Sequence, residues 1–345
     1  MSLVRLLNEK PDKLMFTTPS HGQRLAIYEP LRELYKRDIS ETDCMNPQEA
    51  LERAQLRARA VYHTYSTTFL TNGSTSGIIA AVLACTQVGD KVLIASNSHP
   101  CHFNAVRLAG ARALTYDLEI DPDFGVALEA KPEVIEYYLS RYNIRTVIIT
   151  SPSYEGIISD IEEIKSICER HEAFLIVDEA HGALYPFSDL LPLSAVNVAD
   201  FTVQSLHKTA GGLNPTALLH CNCEIDVKPA LNMFMTTSPS YPLLASIEAN
   251  INYLDSREGR KDIDNLITRL DKIREKCRGC EFFGDDPTKV LFRVPGVSGY
   301  ELSEMLYEDF NIEDERTNEK STLILCGLGT DNKKLDRLQQ VLAKL

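Results

Sequence analysis

The sequence predicts an α/β fold with a mainly parallel central sheet, and two observations support this prediction. Short apolar runs rich in β-branched residues, such as 146–150 and 174–177, end in polar residues. This pattern is typical of strands that are buried on both faces of a parallel sheet. Stretches with helical spacing alternate with these runs, as in sheets that carry helices on both faces. Ligands of such sheets bind at the carboxyl ends of the strands, so the functional residues are expected there.

The elements expected between residues 46 and 255 form one large domain, and one further helix is expected before them in the N-terminal segment. The helix over 47–65 is a typical case, because Ala50, Ala54 and Ala58 fall on one helical face. In chain order we expect helices over 24–36, 47–65, 78–85 and 160–171, and strands over 91–95, 146–150, 174–177 and 201–203.

A second, smaller α+β domain is expected at the C-terminus. The length of 345 residues exceeds that of a usual single core, and the pattern changes after about residue 256. The expected elements there are helices over 262–277, 299–310 and 332–345 and strands over 289–294 and 322–326. The predicted organisation is an N-terminal arm over 1–45, a large domain over 46–255 and a small domain over 256–345.

The composition excludes several classes of function. A formal net charge of −13 argues against nucleic acids and anionic membranes as partners, because binding to either needs basic patches. No apolar stretch approaches the roughly 20 residues that span a bilayer, and the N-terminus becomes charged too early for a signal peptide. The nine cysteines are scattered, and Cys221 and Cys223 have the wrong spacing for a zinc pair. We therefore expect a cytoplasmic protein without a metal.

Two predicted strands are followed by residues that suit pyridoxal phosphate (PLP) chemistry. Asp178 and His181 follow one strand, and His207 and Lys208 follow the next. A lysine amine can form a Schiff base with an aldehyde cofactor, and a carboxylate can keep the pyridinium nitrogen of that cofactor protonated. Lys208 and Asp178 are the candidates for these roles. The residues alone leave open that Asp178 caps a helix and that Lys208 is a solvated surface lysine.

A glycine-containing turn before an apolar helix is a candidate phosphate site. In the segment 72–77, NGSTSG, the N–H groups and the dipole of the following helix favour an anion. Ser74 and Thr75 add hydroxyl donors. Helix capping by serine and threonine is the alternative interpretation of the same pattern.

Six short motifs follow one another between residues 72 and 241. They are NGSTSG (72–77), NSHPC (97–101), SPSYEG (151–156), DEAHG (178–182), QSLHKT (204–209) and SPSY (238–241). In sequence and order they resemble the motifs of the Orn/Lys/Arg decarboxylase family, which belongs to the fold type I, aspartate-aminotransferase-like PLP enzymes. The resemblance extends from about residue 16 to the C-terminus.

The resemblance implies PLP as the cofactor and assigns roles to particular residues. Lys208 would bind the cofactor, Asp178 would oppose its ring nitrogen, and His99 would stack on its ring. From reach alone, we expect His181 to contact the phenolic oxygen of the cofactor or the substrate carboxylate. The cofactor-binding residues expected in all are Ser74, Thr75, His99, Asp178, His181, Ser205, His207, Lys208, Thr237 and Ser238.

The resemblance also implies a homodimer with shared active sites. Ser205 and His207 resemble the family's contacts on the phosphate and substrate side. The segment that contains Thr237 and Ser238 resembles one that reaches the phosphate of the neighbouring subunit. The two subunits would therefore complete each other's sites.

The sequence departs from the family pattern at three motif positions and in its extent. Ser20 stands where the family has glycine, and Pro100 and Cys101 stand where it has lysine and serine. We expect a short member of the family, without the wing domain and the long C-terminal extension that are typical of it.

The resemblance, and not the spacing of residues, selects decarboxylation of a basic amino acid. Arginine, converted to agmatine and CO2 in polyamine biosynthesis, is the first expectation, followed by lysine and ornithine. The cationic side chain of such a substrate needs carboxylate partners. The candidates, which the sequence does not rank, are Glu41, Asp43, Glu155, Glu313 and Asp314.

Two other classes of function stay open at this point. One is a different fold type I PLP enzyme, such as an aminotransferase or an aldolase. The other is a catalytically silent paralogue that acts as a partner. The presence of Lys208, Asp178 and His99 together argues against the silent paralogue, because a protein without catalysis has no reason to keep that geometry.

Overall fold

The structure is a computed structural model that describes residues 13–21, 33 and 47–345. Of the predicted helix over 24–36, only residue 33 is described. The candidate carboxylates Glu41 and Asp43 lie outside the described residues.

The described residues form thirteen strands and ten α-helices. The strands are β1 Leu14–Met15, β2 Ser66–Leu70, β3 Lys91–Ala95, β4 Arg112–Tyr116, β5 Thr146–Thr150, β6 Phe174–Asp178, β7 Phe201–Ser205, β8 Ala217–Cys221, β9 Glu281–Phe283, β10 Lys289–Arg293, β11 Ile312–Glu313, β12 Arg316–Thr317 and β13 Thr322–Leu325. The helices are α1 Pro47–Tyr62, α2 Gly73–Cys85, α3 Pro100–Leu108, α4 Pro132–Leu139, α5 Ile161–Arg170, α6 Lys228–Leu231, α7 Tyr241–Asp255, α8 Arg257–Lys276, α9 Gly299–Glu308 and α10 Asn332–Leu342. Among the helices described, none combines the length and the hydrophobicity needed to cross a membrane.

The central sheet confirms the predicted α/β fold. Its seven strands lie in the order β2-β8-β7-β6-β5-β3-β4. β8 runs antiparallel to both of its neighbours, whereas the strands from β7 to β4 pair in parallel. The carboxyl ends of the parallel strands meet at one edge of the sheet, where the segments that carry Asp178 and Lys208 begin.

Alternate residues of the parallel strands pack on opposite faces of the sheet. Ile148 and Ile176 belong to the core beside α2 and α3. Their neighbours Val147 and Leu175 belong to the core beside α4 and α5. Because helices cover both faces, these strands are apolar throughout rather than alternating, which is why the sequence predicts them well.

Helix α2 packs closely against the sheet. It is apolar around most of its circumference, as buried helices are. A Cβ atom on Gly77 would come within 2.7 Å of Val203 and 2.9 Å of Leu70, so glycine is required for this approach. The contact holds the helix N-terminus, with Ser74 and Thr75, beside the edge that carries Lys208.

A second sheet lies in the C-terminal part of the chain. It is antiparallel, with the strand order β12-β13-β10-β9, and α8, α9 and α10 contribute apolar residues to its core. Phe16 is buried in the same core, and β1 pairs in parallel with β11. The division into arm, large domain and small domain stays a prediction, but the described part of the arm packs with the C-terminal core.

Several elements were not predicted, and each has a weak signal in the sequence. β4 is an edge strand whose first two residues, Arg112 and Ala113, are exposed, so it has no continuous apolar run. α3 begins with Pro100, in a segment for which no element was predicted. α2 begins at Gly73 rather than at residue 78, so the predicted phosphate turn is in fact the first turn of the helix.

A chain of buried hydrogen bonds joins β7, β8 and β2. Gln204 Oε1 accepts a hydrogen bond from His220 Nε2 at 3.2 Å, and Thr67 Oγ1 lies 2.9 Å from His220 Nδ1. Burial lowers the pKa of His220 to about 3. The ring is therefore neutral, with one nitrogen donating and the other accepting.

The same chain ends on the buried side chain of Glu179, just after β6. Glu179 accepts hydrogen bonds from Gln204 Nε2 (2.6 Å), Ser194 Oγ (2.7 Å) and the Ala195 amide (2.7 Å). Burial raises the pKa of Glu179 to about 7, although these hydrogen bonds favour the ionised form. The network fixes β6 and β7 relative to each other.

Glu179 makes the stability of the fold depend on pH. Between the ordinary glutamate pKa and about 7, the native state keeps a proton that the unfolded state has released. The free energy of unfolding therefore falls as pH rises through this window, by about 3 kcal/mol at most. Glu179→Gln should remove this fall. Urea titrations of both proteins between pH 4.5 and 8 measure it, and parallel pH profiles would contradict the assignment.

Candidate functional site

A cavity of about 790 Å³ opens at the carboxyl edge of the central sheet. Its floor consists of segments that directly follow β3, β5, β6 and β7. Eight of the ten predicted cofactor-binding residues line it, namely Ser74, Thr75, His99, Asp178, His181, Ser205, His207 and Lys208. The structure thus brings together residues that are up to 134 positions apart between Ser74 and Lys208.

Lys208 and His181 contact each other in this cavity. Lys208 Nζ lies 3.0 Å from His181 Nε2. Burial lowers the pKa of Lys208, and it lowers the pKa of His181 well below the usual range. With His181 neutral, Nε2 accepts from Lys208 and the ring proton sits on Nδ1, which is buried without a partner among the described residues. Tyr154 packs edge-on against the ring, with centroids 4.8 Å apart.

Asp178 is a buried carboxylate that stays ionised. Burial alone would raise its pKa, but the hydrogen bond from His102 and the charge of Lys208 lower it overall. His102 Nε2 donates to Asp178 Oδ2 at 2.8 Å, and the Ala180 amide donates to Oδ1 at 3.2 Å. Cys101, His102 and Asp178 each have an atom of the kind that can bind a metal ion, and these three atoms lie within 4.8 Å of one another. The hydrogen bond between His102 and Asp178 already engages two of the three side chains.

His102 was missed by the sequence analysis, although it is the principal partner of Asp178. It lies in the first turn of α3 and its side chain is fully buried. The available signal was the spacing of three positions between His99 and His102, which places both on one face of a helix. This signal could not be used because the helix itself was not predicted. Cys101, at the position of the family's serine, is also buried, and burial raises the pKa of its thiol to about 12.

His99 lines the cavity and caps α3. Its Nδ1 accepts a hydrogen bond from the Cys101 amide at 3.2 Å. The residue is exposed, so a bound ligand can reach it.

The N-terminus of α2 and Ser205 form one polar corner of the cavity. The Asn72 side chain makes no capping hydrogen bond, so it does not cover the first N–H groups of the helix. Ser205 Oγ is fully buried and has no hydrogen-bond partner among the described residues. A buried hydroxyl without a partner is costly unless a ligand or water satisfies it. An anion at this corner would satisfy it.

Most of the remaining predicted residues that the structure describes lie outside this cavity. Thr237 and Ser238 are exposed and do not line this cavity. Glu155 lines it, whereas Glu313 and Asp314 do not. Asp314 instead accepts hydrogen bonds from the hydroxyls of Ser303, Thr317 and Thr322.

Ser20, which stands where the family has glycine, contacts the segment that carries Lys208. Ser20 is buried, its amide donates to the His207 carbonyl at 2.9 Å, and its hydroxyl accepts from the Gly211 amide at 3.1 Å. Ser20 thereby ties the N-terminal segment to both sides of Lys208.

The fold and site define the class of protein. The structure is similar to lysine decarboxylase A from Pseudomonas aeruginosa, with a TM-score of 0.75 at 18% sequence identity, over 89% of this chain and 52% of that chain. The architecture is that of the fold type I PLP-dependent enzymes.

The family follows from the sequence. Residues 33–284 match the family described as "Orn/Lys/Arg decarboxylase, major domain", and the chain belongs to this family. It is 28% identical over 325 residues to an arginine decarboxylase of Halalkalibacterium halodurans, covering 88% of this chain and 66% of that protein. An arginine decarboxylase of Bacillus anthracis is 27% identical over 369 residues, with 98% of this chain and 75% of that protein covered. The chain thus spans about two thirds to three quarters of these relatives and about half of the lysine decarboxylase.

The pair of His102 and Asp178 should be coupled energetically. His102→Ala leaves a buried carboxylate without its main partner, so the free energy of unfolding should fall by about 3 kcal/mol. Urea titrations of His102→Ala, Asp178→Asn and the double variant measure this. We expect the double variant to be clearly less destabilised than the sum of the single variants. Additive effects would show that the two side chains do not interact.

Proposed function

We propose that this protein decarboxylates a basic L-amino acid with PLP as its cofactor. The convergence of a partly buried lysine and an ionised, buried aspartate in one cavity carries this proposal. Arginine, giving agmatine and CO2 in polyamine biosynthesis, is the substrate we favour, because the relatives described above are named arginine decarboxylases. Lysine and ornithine are the next candidates.

The residues of the cavity fit PLP. The N-terminus of α2 and the unpartnered hydroxyl of Ser205 suit its phosphate, and Asp178 suits its ring nitrogen. Lys208 would bind it covalently, and His99 would pack on its ring. When bound, PLP supplies an electron sink for the electrons that remain after a bond to the α-carbon breaks.

The side chains of the chain supply the proton chemistry. Asp178 keeps its charge, so it can hold a proton on the ring nitrogen. The lowered pKa of Lys208 favours the neutral amine, which is the nucleophilic form. His181, 3.0 Å from Lys208 Nζ, can exchange a proton with that amine. Lys208 in its protonated form, or a neighbouring histidine, can donate the proton that replaces CO2 on the α-carbon.

The orientation in which the cavity holds the substrate would decide which bond to its α-carbon breaks. Family membership supports decarboxylation over transamination. The presence of Lys208, Asp178 and His99 at one cavity supports an active enzyme over a silent paralogue.

A homodimer and a cytoplasmic location are further parts of the proposal. Thr237 and Ser238 are exposed and lie outside their own cavity, as expected for residues that reach the phosphate in a partner subunit. Eight cysteines of the described part of the chain are free thiols, which suits a reducing compartment.

The reaction is tested by CO2 release from arginine, lysine and ornithine, each offered separately to PLP-loaded protein. We expect release with arginine, loss of release in Lys208→Ala, and a decrease of about 10² to 10³ in kcat for Asp178→Asn, because the charge opposite the ring nitrogen is lost. Absence of release from all three substrates by the wild type, with PLP visibly bound, would contradict the proposed reaction.

Shared sites are tested by subunit complementation. Lys208→Ala and the double variant Thr237→Ala, Ser238→Ala should each have low activity. In a mixed dimer, one site would receive intact residues from both subunits. Co-refolding of the two proteins should therefore restore about a quarter of the wild-type rate. No recovery, or full activity of the double variant alone, would contradict this arrangement.

A further inference from the structure

The cavity offers three acidic side chains, and two of them are already engaged. Among the described residues that line it, the carboxylates are Asp178, Glu155 and Glu129. Asp178 is bound by His102 at 2.8 Å, and Glu155 forms an ion pair with Arg316 at 3.1 Å. Glu129 is partly exposed and makes no hydrogen bond or ion pair with the described part of the chain. It is therefore the carboxylate that is available to a cation.

Glu129 stands at the foot of a short hairpin, 119–128, that follows β4. The Asp121 amide donates to the Val126 carbonyl at 2.8 Å, and the Leu128 amide donates to the Glu119 carbonyl, also at 2.8 Å. A β-bridge joins Ile120 and Ala127. These bonds give the backbone that leads to Glu129 a defined conformation.

Contacts on both sides hold this hairpin in place. Asn318 Nδ2 donates to the Phe124 carbonyl at 3.1 Å, and Ser321 Oγ donates to the same carbonyl at 2.8 Å. Directly after Glu129, the Ala130 amide donates to Ser159 Oγ at 3.0 Å. The carboxylate is thus presented by a fixed backbone, which reduces the entropy lost when it binds a ligand.

The wall beside Glu129 is apolar. Leu118, Ile120 and Val126 line the same cavity, and Val126 is buried. An aliphatic chain would pack on these side chains, and a cationic group at its end would meet the carboxylate. Arginine, lysine and ornithine all have this combination of a methylene chain and a terminal cation.

We propose that Glu129 is the specificity-determining residue, which binds the distal cation of the basic substrate. This inference rests on the proposed function, and it replaces the unranked set of carboxylates with one residue that the sequence analysis did not consider. Glu155 is less suited, because Arg316 already neutralises its charge and would repel a second cation. The hydroxyl donors around Asp314 likewise occupy that carboxylate.

The test compares two amines of the same shape and different charge. Agmatine carries a terminal guanidinium, and N-carbamoylputrescine carries a neutral ureido group in its place. Calorimetry on the PLP-loaded protein gives the ratio of their dissociation constants. We expect the wild type to favour agmatine by about 10- to 100-fold, the range for a charge-assisted contact. Glu129→Gln should reduce this ratio to near one, and Glu129→Asp should keep part of it.

Glu133→Gln serves as the matched control, because it removes an exposed carboxylate just outside the cavity. It should keep the wild-type ratio. A wild type that does not favour agmatine, an unchanged ratio in Glu129→Gln, or a loss of the ratio in Glu133→Gln would overturn the proposal.

The proposal for Glu129 and the proposed reaction can be refuted independently of each other. Selective binding of agmatine that depends on Glu129, without CO2 release from any basic amino acid, would refute the proposed reaction and leave the recognition by Glu129 standing. CO2 release from arginine with an unchanged binding ratio in Glu129→Gln would support the proposed reaction and refute the recognition by Glu129.

Discussion

The rest of the site depends on the interactions that keep Asp178 negatively charged inside the protein. An unpaired carboxylate in the interior would cost several kcal/mol and would take up a proton instead. His102, on a helix that follows β3, and the amide of Ala180 supply the hydrogen bonds that keep this carboxylate ionised. The same negative charge acts on Lys208, where it opposes the effect of burial on the amine. The chemistry proposed for the cavity therefore rests on packing α3 against the end of β6.

The sheet separates functional from structural polar groups by the alternation of side chains. Asp178 and Ser205 line the cavity, whereas their immediate neighbours Glu179 and Gln204 join the buried network that continues to His220. Successive residues of a strand point to opposite sides, so one dipeptide at the end of each strand serves both purposes. The network fixes the relative position of β6 and β7, and with it the position of the residues that follow them. A single shift in register would exchange the two sets and destroy both.

The fold and much of the site could be predicted from the sequence, and the parts that could not share a physical reason. β6 and β7 are buried on both faces, so their apolar runs are distinct. Asp178, at the end of β6, and Lys208, after β7, could therefore be placed at one edge of the sheet. β4 is exposed at the edge of the sheet and lacks such a run. His102 and Glu129 were missed because each belongs to a local structure, a proline-initiated helix and a hairpin, that was not predicted. Their place at the cavity also depends on segments distant in sequence, which periodicity does not report.

The central claim is that Lys208 is the amine that binds the cofactor beside the ionised Asp178. Borohydride reduction of the PLP-loaded protein, followed by peptide mass spectrometry, tests it most directly, because the reduction fixes the cofactor to the lysine that holds it. The account predicts a pyridoxyl phosphate group on the peptide that contains Lys208 and on no other peptide. Modification of a different lysine, such as the buried Lys289, or the absence of any modified peptide would contradict it.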